Sequence, residues 1–207
     1  MWRHIASALC LVAASEAPAD RRRLAAYNYI EVDKLTASDA AADDYFGASM
    51  AIDGGTVAIR GDGSVYIFRT TDDGGTWSQV AKLVTSDGVS ISRVAISGDV
   101  VVAGASGDDS IAPDAGAAYV FRTSDGGATY GQVAKLTASD AYSNDNLGIS
   151  VAIDGTTIVA GAHGDDDAGS RSGSAYVFHT SDGVTYSQVA KLTASDAAEW
   201  DLSLIHI

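Results

Sequence analysis

The residues of this chain that are able to do chemistry are mostly carboxylates. Asp165, Asp166 and Asp167 follow one another on the Gly-rich stretch from Gly164 to Ser170. Oxygen donors crowded on such a loop are what a hard cation such as Ca²⁺ takes, so these three are the candidate metal ligands and Ca²⁺ the candidate cofactor. No bidentate Glu follows at EF-hand spacing, and a solvated acidic loop has the same composition; both readings fit. Asp108, Asp109 and Asp114 hold the corresponding place one unit earlier, more widely spaced. His4, His163, His179 and His206 show no metal-ligand spacing. No Ser-His-Asp or Cys-His set, phosphate loop or glycosidase carboxylate pair emerges, and the expectation is a protein that is not an enzyme.

The elements that carry these residues repeat. Lys-Leu-x-x-Ser-Asp begins at positions 34, 82, 135 and 191, at intervals of 48, 53 and 56 residues. A four-stranded propeller blade takes about 40–50 residues, so the period is that of a blade. Within each period the apolar residues alternate, with no helical stripe longer than a turn. In the third unit Ile149–Ile153 reads as a strand, Asp154-Gly155 as a tight turn, Thr156–Ala162 as a second strand, Ser174–Phe178 as a third and Tyr186–Leu192 as a fourth. The first two units align strand for strand: 48–53, 56–59, 64–69 and 77–83, then 92–97, 100–105, 117–122 and 130–136. Residues 29–35 match a fourth strand alone. The expected fold is therefore all-β, a β-propeller-type array of four-stranded antiparallel blades, about three in number. Its divisions are a signal peptide at 1–19, an N-terminal segment at 20–35, blades at 36–83, 84–136 and 137–192, and the start of a further repeat at 193–207. Tyr66, Phe68, Tyr119, Phe121, Tyr176 and Phe178 share one face of the third strands, the expected core between blades.

Composition bounds the partners. With 13 basic and 27 acidic residues the formal charge is -14, which repels phosphate backbones and anionic lipid and excludes nucleic acid as a partner. Ile5–Ala14 is an apolar run followed by Ala17-Pro18-Ala19, the pattern of a secretory leader, and too short for a membrane span. The single cysteine, Cys10, falls inside it. The chain is thus expected to be secreted or displayed at the cell surface, with no membrane span in the mature part. Leu202–Ile207 fits no repeat and is similar to translated adapter read-through, so the protein is expected to continue beyond it.

Phe46-Gly47 before a strand, Gly104-Ala105 and Gly161-Ala162 closing one, and the Gly-x-Ala-Tyr-Val-Phe phrase resemble FG-GAP repeats, the units of the integrin α-chain propeller. The resemblance covers roughly residues 29–200 and implies an extracellular propeller for adhesion or recognition of a protein or glycan ligand. The calcium loop that integrin-type repeats carry between their first two strands has no counterpart at Asp53-Gly54, Ser97-Gly98 or Asp154-Gly155. The turns Thr70 to Trp77 and Thr123 to Tyr130, and a shorter one at Thr180 to Tyr186, resemble the Asp-box hairpin of sialidase-type propellers. That resemblance implies a structural turn. Sialidase chemistry needs an arginine cluster and a Tyr/Glu pair, and after the leader the chain has only Glu31 and Glu199. Arg60-Gly61-Asp62 is the tripeptide that integrins read in their ligands, expected here at an exposed hairpin tip and attributable to chance. Two rival expectations remain: a purely structural surface or wall repeat, and the non-catalytic part of a glycan-acting enzyme.

Overall fold

The computed structural model describes residues 31–196. Among them are twelve strands in three antiparallel sheets of four, each a simple meander. The first sheet holds β1 (Met50–Asp53), β2 (Thr56–Gly61), β3 (Ser64–Arg69) and β4 (Ser78–Leu83). The second holds β5 (Arg93–Ser97), β6 (Val100–Ala105), β7 (Ala117–Arg122) and β8 (Gly131–Leu136). The third holds β9 (Ser150–Asp154), β10 (Thr157–Ala162), β11 (Ser174–Thr180) and β12 (Tyr186–Leu192). The strands expected from alternation are therefore present, with ends displaced by a residue or two. The exception is residues 29–35, of which the described residues 31–34 are irregular while Leu35 enters the core. The leader at 1–19 and the tail at 202–207 lie outside the described residues.

Successive blades pack face to face, with their first strands β1, β5 and β9 adjacent. Between blades 1 and 2, Ala58, Val65, Ile67 and Leu83 meet Val101, Ala103, Tyr119 and Phe121. Between blades 2 and 3, Val102, Val120 and Leu136 meet Ile158, Ala160, Tyr176 and Phe178. Small residues on the second strands let the sheets close to contact, and the Tyr and Phe of the third strands fill the remaining depth. Gly104 shows how tight this is: a Cβ there would stand 2.0 Å from the carbonyl oxygen of Gly148 in the next blade. The expected aromatic core is found in all three blades, Tyr66 and Phe68 joining Phe46, Leu35 and Ala37 on the outer side of blade 1.

Each fourth strand carries a β-bulge at the same place. Phe68 pairs with Gln79 and Ile67 with Ala81, leaving Val80 as the extra residue; the same shift recurs at Val133 and Val189. A bulge reverses the alternation of side chains beyond it. Gln79 and Lys82, three apart, consequently share the face that carries Phe68 and Tyr66.

Candidate functional site: a repeated lysine clasp and the rim it supports

The chain has four lysines and all lie in the repeated phrase. In each blade the lysine near the end of the fourth strand reaches back to the Ser-Asp of the preceding copy. Lys82 Nζ is 2.8 Å from Asp39, Lys135 is 2.8 Å from Asp87 and Lys191 is 2.7 Å from Asp140. The glutamine brought onto the same face by the bulge holds the neighbouring serine. The Ser38, Ser86 and Ser139 N–H groups donate to Gln79, Gln132 and Gln188, each at 2.9 Å. Gln79 and Gln132 also donate to the hydroxyls of Ser38 and Ser86 at 3.0 Å. One copy of the phrase thus grips the last two residues of the previous copy.

A second carboxylate completes each clasp from the connection between the second and third strands. Asp62 lies 3.3 Å from Lys82, Asp108 2.7 Å from Lys135 and Asp165 2.7 Å from Lys191. The ammonium rests over a tyrosine ring, with centroid distances of 5.0 Å at Tyr66, 5.1 Å at Tyr119 and 5.2 Å at Tyr176, a cation–π contact that adds to the ion pairs. The Tyr119 hydroxyl lies 2.5 Å from Asp108 and the Tyr176 hydroxyl 2.7 Å from Asp165. In blade 1 the Tyr66 hydroxyl is buried and makes no hydrogen bond of the kind that Asp108 and Asp165 accept in the other blades.

Burial alone would raise the carboxyl of Asp108, whose side chain is 1% exposed. Lys135, Ser110 and Tyr119 overcome that and hold it down at about 2. Asp165 is also lowered, Lys191, Tyr176 and Ser174 outweighing its burial. Asp145, buried near the same group, is raised by its desolvation.

These contacts reorganise the expected cation site. Asp165 and Asp167 are brought together, but with Asp140 from the repeated phrase, and not with Asp166. Asp166 is exposed and accepts the N–H of Arg171 at 2.6 Å. Lys191 Nζ sits where the three carboxylates converge, 2.5 Å from Asp167, so an ammonium supplies there the positive charge that the carboxylates need. In the second blade Asp108 joins the clasp, while Asp109 caps its own loop by accepting the N–H of Asp114.

Arg60 and Gly61 belong to β2, and only Asp62 stands at the hairpin tip. Arg60 Nε donates to the carbonyl of Ile91 at 3.0 Å. A Cβ on Gly61 would lie 2.9 Å from the Phe46 ring. The tripeptide is therefore tied into the blade at two of its three residues.

At the opposite rim the turns between third and fourth strands are organised by one carboxylate each. Asp72 accepts the N–H and hydroxyl of Thr76 and the hydroxyl of Thr70, which lowers it to about 2. Asp125 plays the same part for Thr129 and Thr123. Asp182 accepts the N–H groups of Val184 and Thr185. Blades are tied here as well: Arg122 of blade 2 donates to the carbonyl of Gly183 in blade 3 at 3.2 Å. Among the described residues no helix is long and apolar enough to cross a membrane.

The FG-GAP repeat model matches residues 29–68, 77–121 and 130–178, and the chain belongs to the FG-GAP repeat family. Its array of four-stranded blades is a β-propeller-type fold. No curated protein matches it in sequence. Among solved structures it is similar to an α-L-arabinofuranosidase from Fusarium graminearum, at 11% identity and a TM-score of 0.48 over 72% of this chain and 49% of that one. It is also similar to an α-L-arabinanase from Penicillium chrysogenum complexed with arabinobiose, at 12% identity and a TM-score of 0.45 over 69% and 47%. The chain spans about half the length of these enzymes.

Proposed function

We propose that this chain is a secreted or cell-surface recognition module, non-catalytic, in which clasped blades hold a rim of dissimilar connections toward an extracellular protein or glycan. One observation carries the reading. The three clasps repeat the same Lys–Asp pair and Gln–Ser contact, whereas the second-to-third-strand connections that end in them differ: Asp62–Gly63 in blade 1, residues 106–116 in blade 2 and 163–173 in blade 3. A rigid scaffold with variable loops at one end is the arrangement that binding surfaces use. The leader-like residues 1–19 and the net charge of -14 accord with an extracellular setting. The Asp-box-like turns at the other rim serve as braces of the scaffold. Each loop contributes at least one carboxylate to its clasp, and the remaining loop positions vary while the Lys–Asp pair of the repeated phrase is kept.

The test is a protein and glycan array probed with the folded chain. Retention of one ligand class, lost when residues 109–113 are replaced by a Gly-Ser loop of equal length with Asp108 kept for Lys135, supports the proposal. A folded chain that retains nothing overturns it and leaves the structural surface-repeat reading.

A further inference from the structure

The short Asp62–Gly63 turn of blade 1 leaves a cleft of about 320 Å³ between the connector before blade 1 and the connector before blade 2. Asp43, Asp44, Tyr45, Arg60, Asp62 and Ser90 line it. Blade 2 shows what occupies the corresponding place when the connection is long. Its loop lies along the next connector, and the N–H groups of Asn144, Asn146 and Leu147 donate to the carbonyls of Pro113, Asp114 and Ala115 at 2.9–3.0 Å. The pairing runs on as a parallel bridge between Gly116 and Leu147. In blade 1 only the last of these bonds has an equivalent, from the Ile91 N–H to the Gly63 carbonyl at 2.8 Å. Ser90, the counterpart of Asn146, is exposed, and its N–H makes no hydrogen bond among the described residues. The cleft thus presents an unpaired backbone N–H, that of Ser90, at the position where the connector of the sister blade pairs with the end of its own loop, Asp114 to Gly116.

We infer that this cleft binds an extended, positively charged peptide segment of a partner, laid along the Ser90 edge in the place that residues 106–116 take over blade 2. Backbone pairing to an open edge gives affinity with little sequence demand, and side-chain pockets set the preference. Here the preference is cationic: Asp43 and Asp44 line the cleft, with Asp62 shared with Lys82, against one guanidinium, Arg60, whose Nε is committed to Ile91. Among the described residues Asp43 makes no ion pair, and the carboxylate of Asp44 accepts only the N–H of Ala41. Tyr45, 66% exposed, offers a ring to a lysine or arginine side chain. An acidic peptide meets repulsion from Asp43 and Asp44.

This inference rests on the recognition reading and names a ligand class for one part of the rim. The probe is a labelled peptide of alternating Gly-Ser pairs carrying two arginines, titrated against the full chain by fluorescence anisotropy, beside the same peptide with glutamine for arginine. The arginine peptide should bind saturably and the glutamine peptide roughly tenfold more weakly, with Asp43→Asn plus Asp44→Asn costing a similar factor. Grafting residues 106–116 in place of Asp62–Gly63 fills the cleft and should abolish binding. Absence of saturable binding by the folded chain overturns the inference, as does binding that the graft and the double asparagine variant both leave unchanged. The two readings fail separately: an array ligand whose retention survives the graft leaves recognition standing and removes the peptide cleft.

Discussion

Replacing Lys135 with Met tests the clasp where it is most buried. The substitution keeps the aliphatic stem over Tyr119 and removes the charge that Asp87 and Asp108 share. Asp108 is 1% exposed and Lys135 23% exposed, so the carboxylate of Asp108 is stranded with only Ser110 and Tyr119 as donors. Breaking a buried ion pair by removing one partner costs about 3–5 kcal/mol; the partial exposure of the lysine points to the lower end, about 3 kcal/mol. The pH dependence gives a sharper signature. In the native chain the Asp108 carboxyl is depressed to about 2 from 3.8. Its contribution, roughly 2 kcal/mol, is therefore fully present above pH 3.8 and lost as pH falls toward 2. Without Lys135 its burial dominates and the folded carboxyl rises above 3.8. Stability attributable to this residue then falls with rising pH across the window from 4 to 6. Urea unfolding of both proteins at pH 4, 5, 6 and 7 measures both effects, and Lys135→Met with Asp108→Asn should recover most of the loss. A single variant that loses under about 0.5 kcal/mol, or that keeps the wild-type pH slope, refutes the assignment.

Other expectations follow from the same contacts. Gly104→Ala places a Cβ against the Gly148 carbonyl and should destabilise by upwards of roughly 3 kcal/mol, read from the urea midpoint. Gln132→Ala removes two exposed hydrogen bonds to Ser86 and should cost only about 1 kcal/mol in the same assay. Asp125→Ala unties the turn held through Thr129 and Thr123. Amide exchange at Ala128 and Thr129 should accelerate in that variant while the core strands of blade 3 keep their protection.

Most of the blade architecture was legible in the sequence because strand alternation and turn residues are local. Asp154-Gly155 announces a reversal whose positive φ, 54° at Gly155, demands glycine. Tyr119 and Phe121 share a face by simple alternation. The clasp escaped that reading for two reasons. Lys82 and Gln79 are three apart in a strand and belong on opposite faces unless a bulge intervenes, and the extra residue, Val80, is an ordinary strand former with no sequence mark. Their partners Ser38 and Asp39 lie a whole repeat away, so no local window holds both halves. The confinement of all four lysines to the repeated phrase was the available signal. The trio Asp165–Asp167 shows the limit of adjacency: in the loop after β10 Asp166 turns to solvent and accepts the N–H of Arg171, while Asp140 from the preceding connector converges on Asp165 and Asp167.

The clasp also bears on how such arrays grow. The copies at 82, 135 and 191, with the glutamine three residues before each lysine, supply a Gln-Lys grip for the copy before, and the copies at 34, 82 and 135 supply a Ser-Asp handle for the copy after. A duplication of one whole repeat therefore arrives with a matched joint at each end, whatever its point of insertion, and no compensating change is required in its neighbours. Blade number is then free to drift in evolution by unequal recombination.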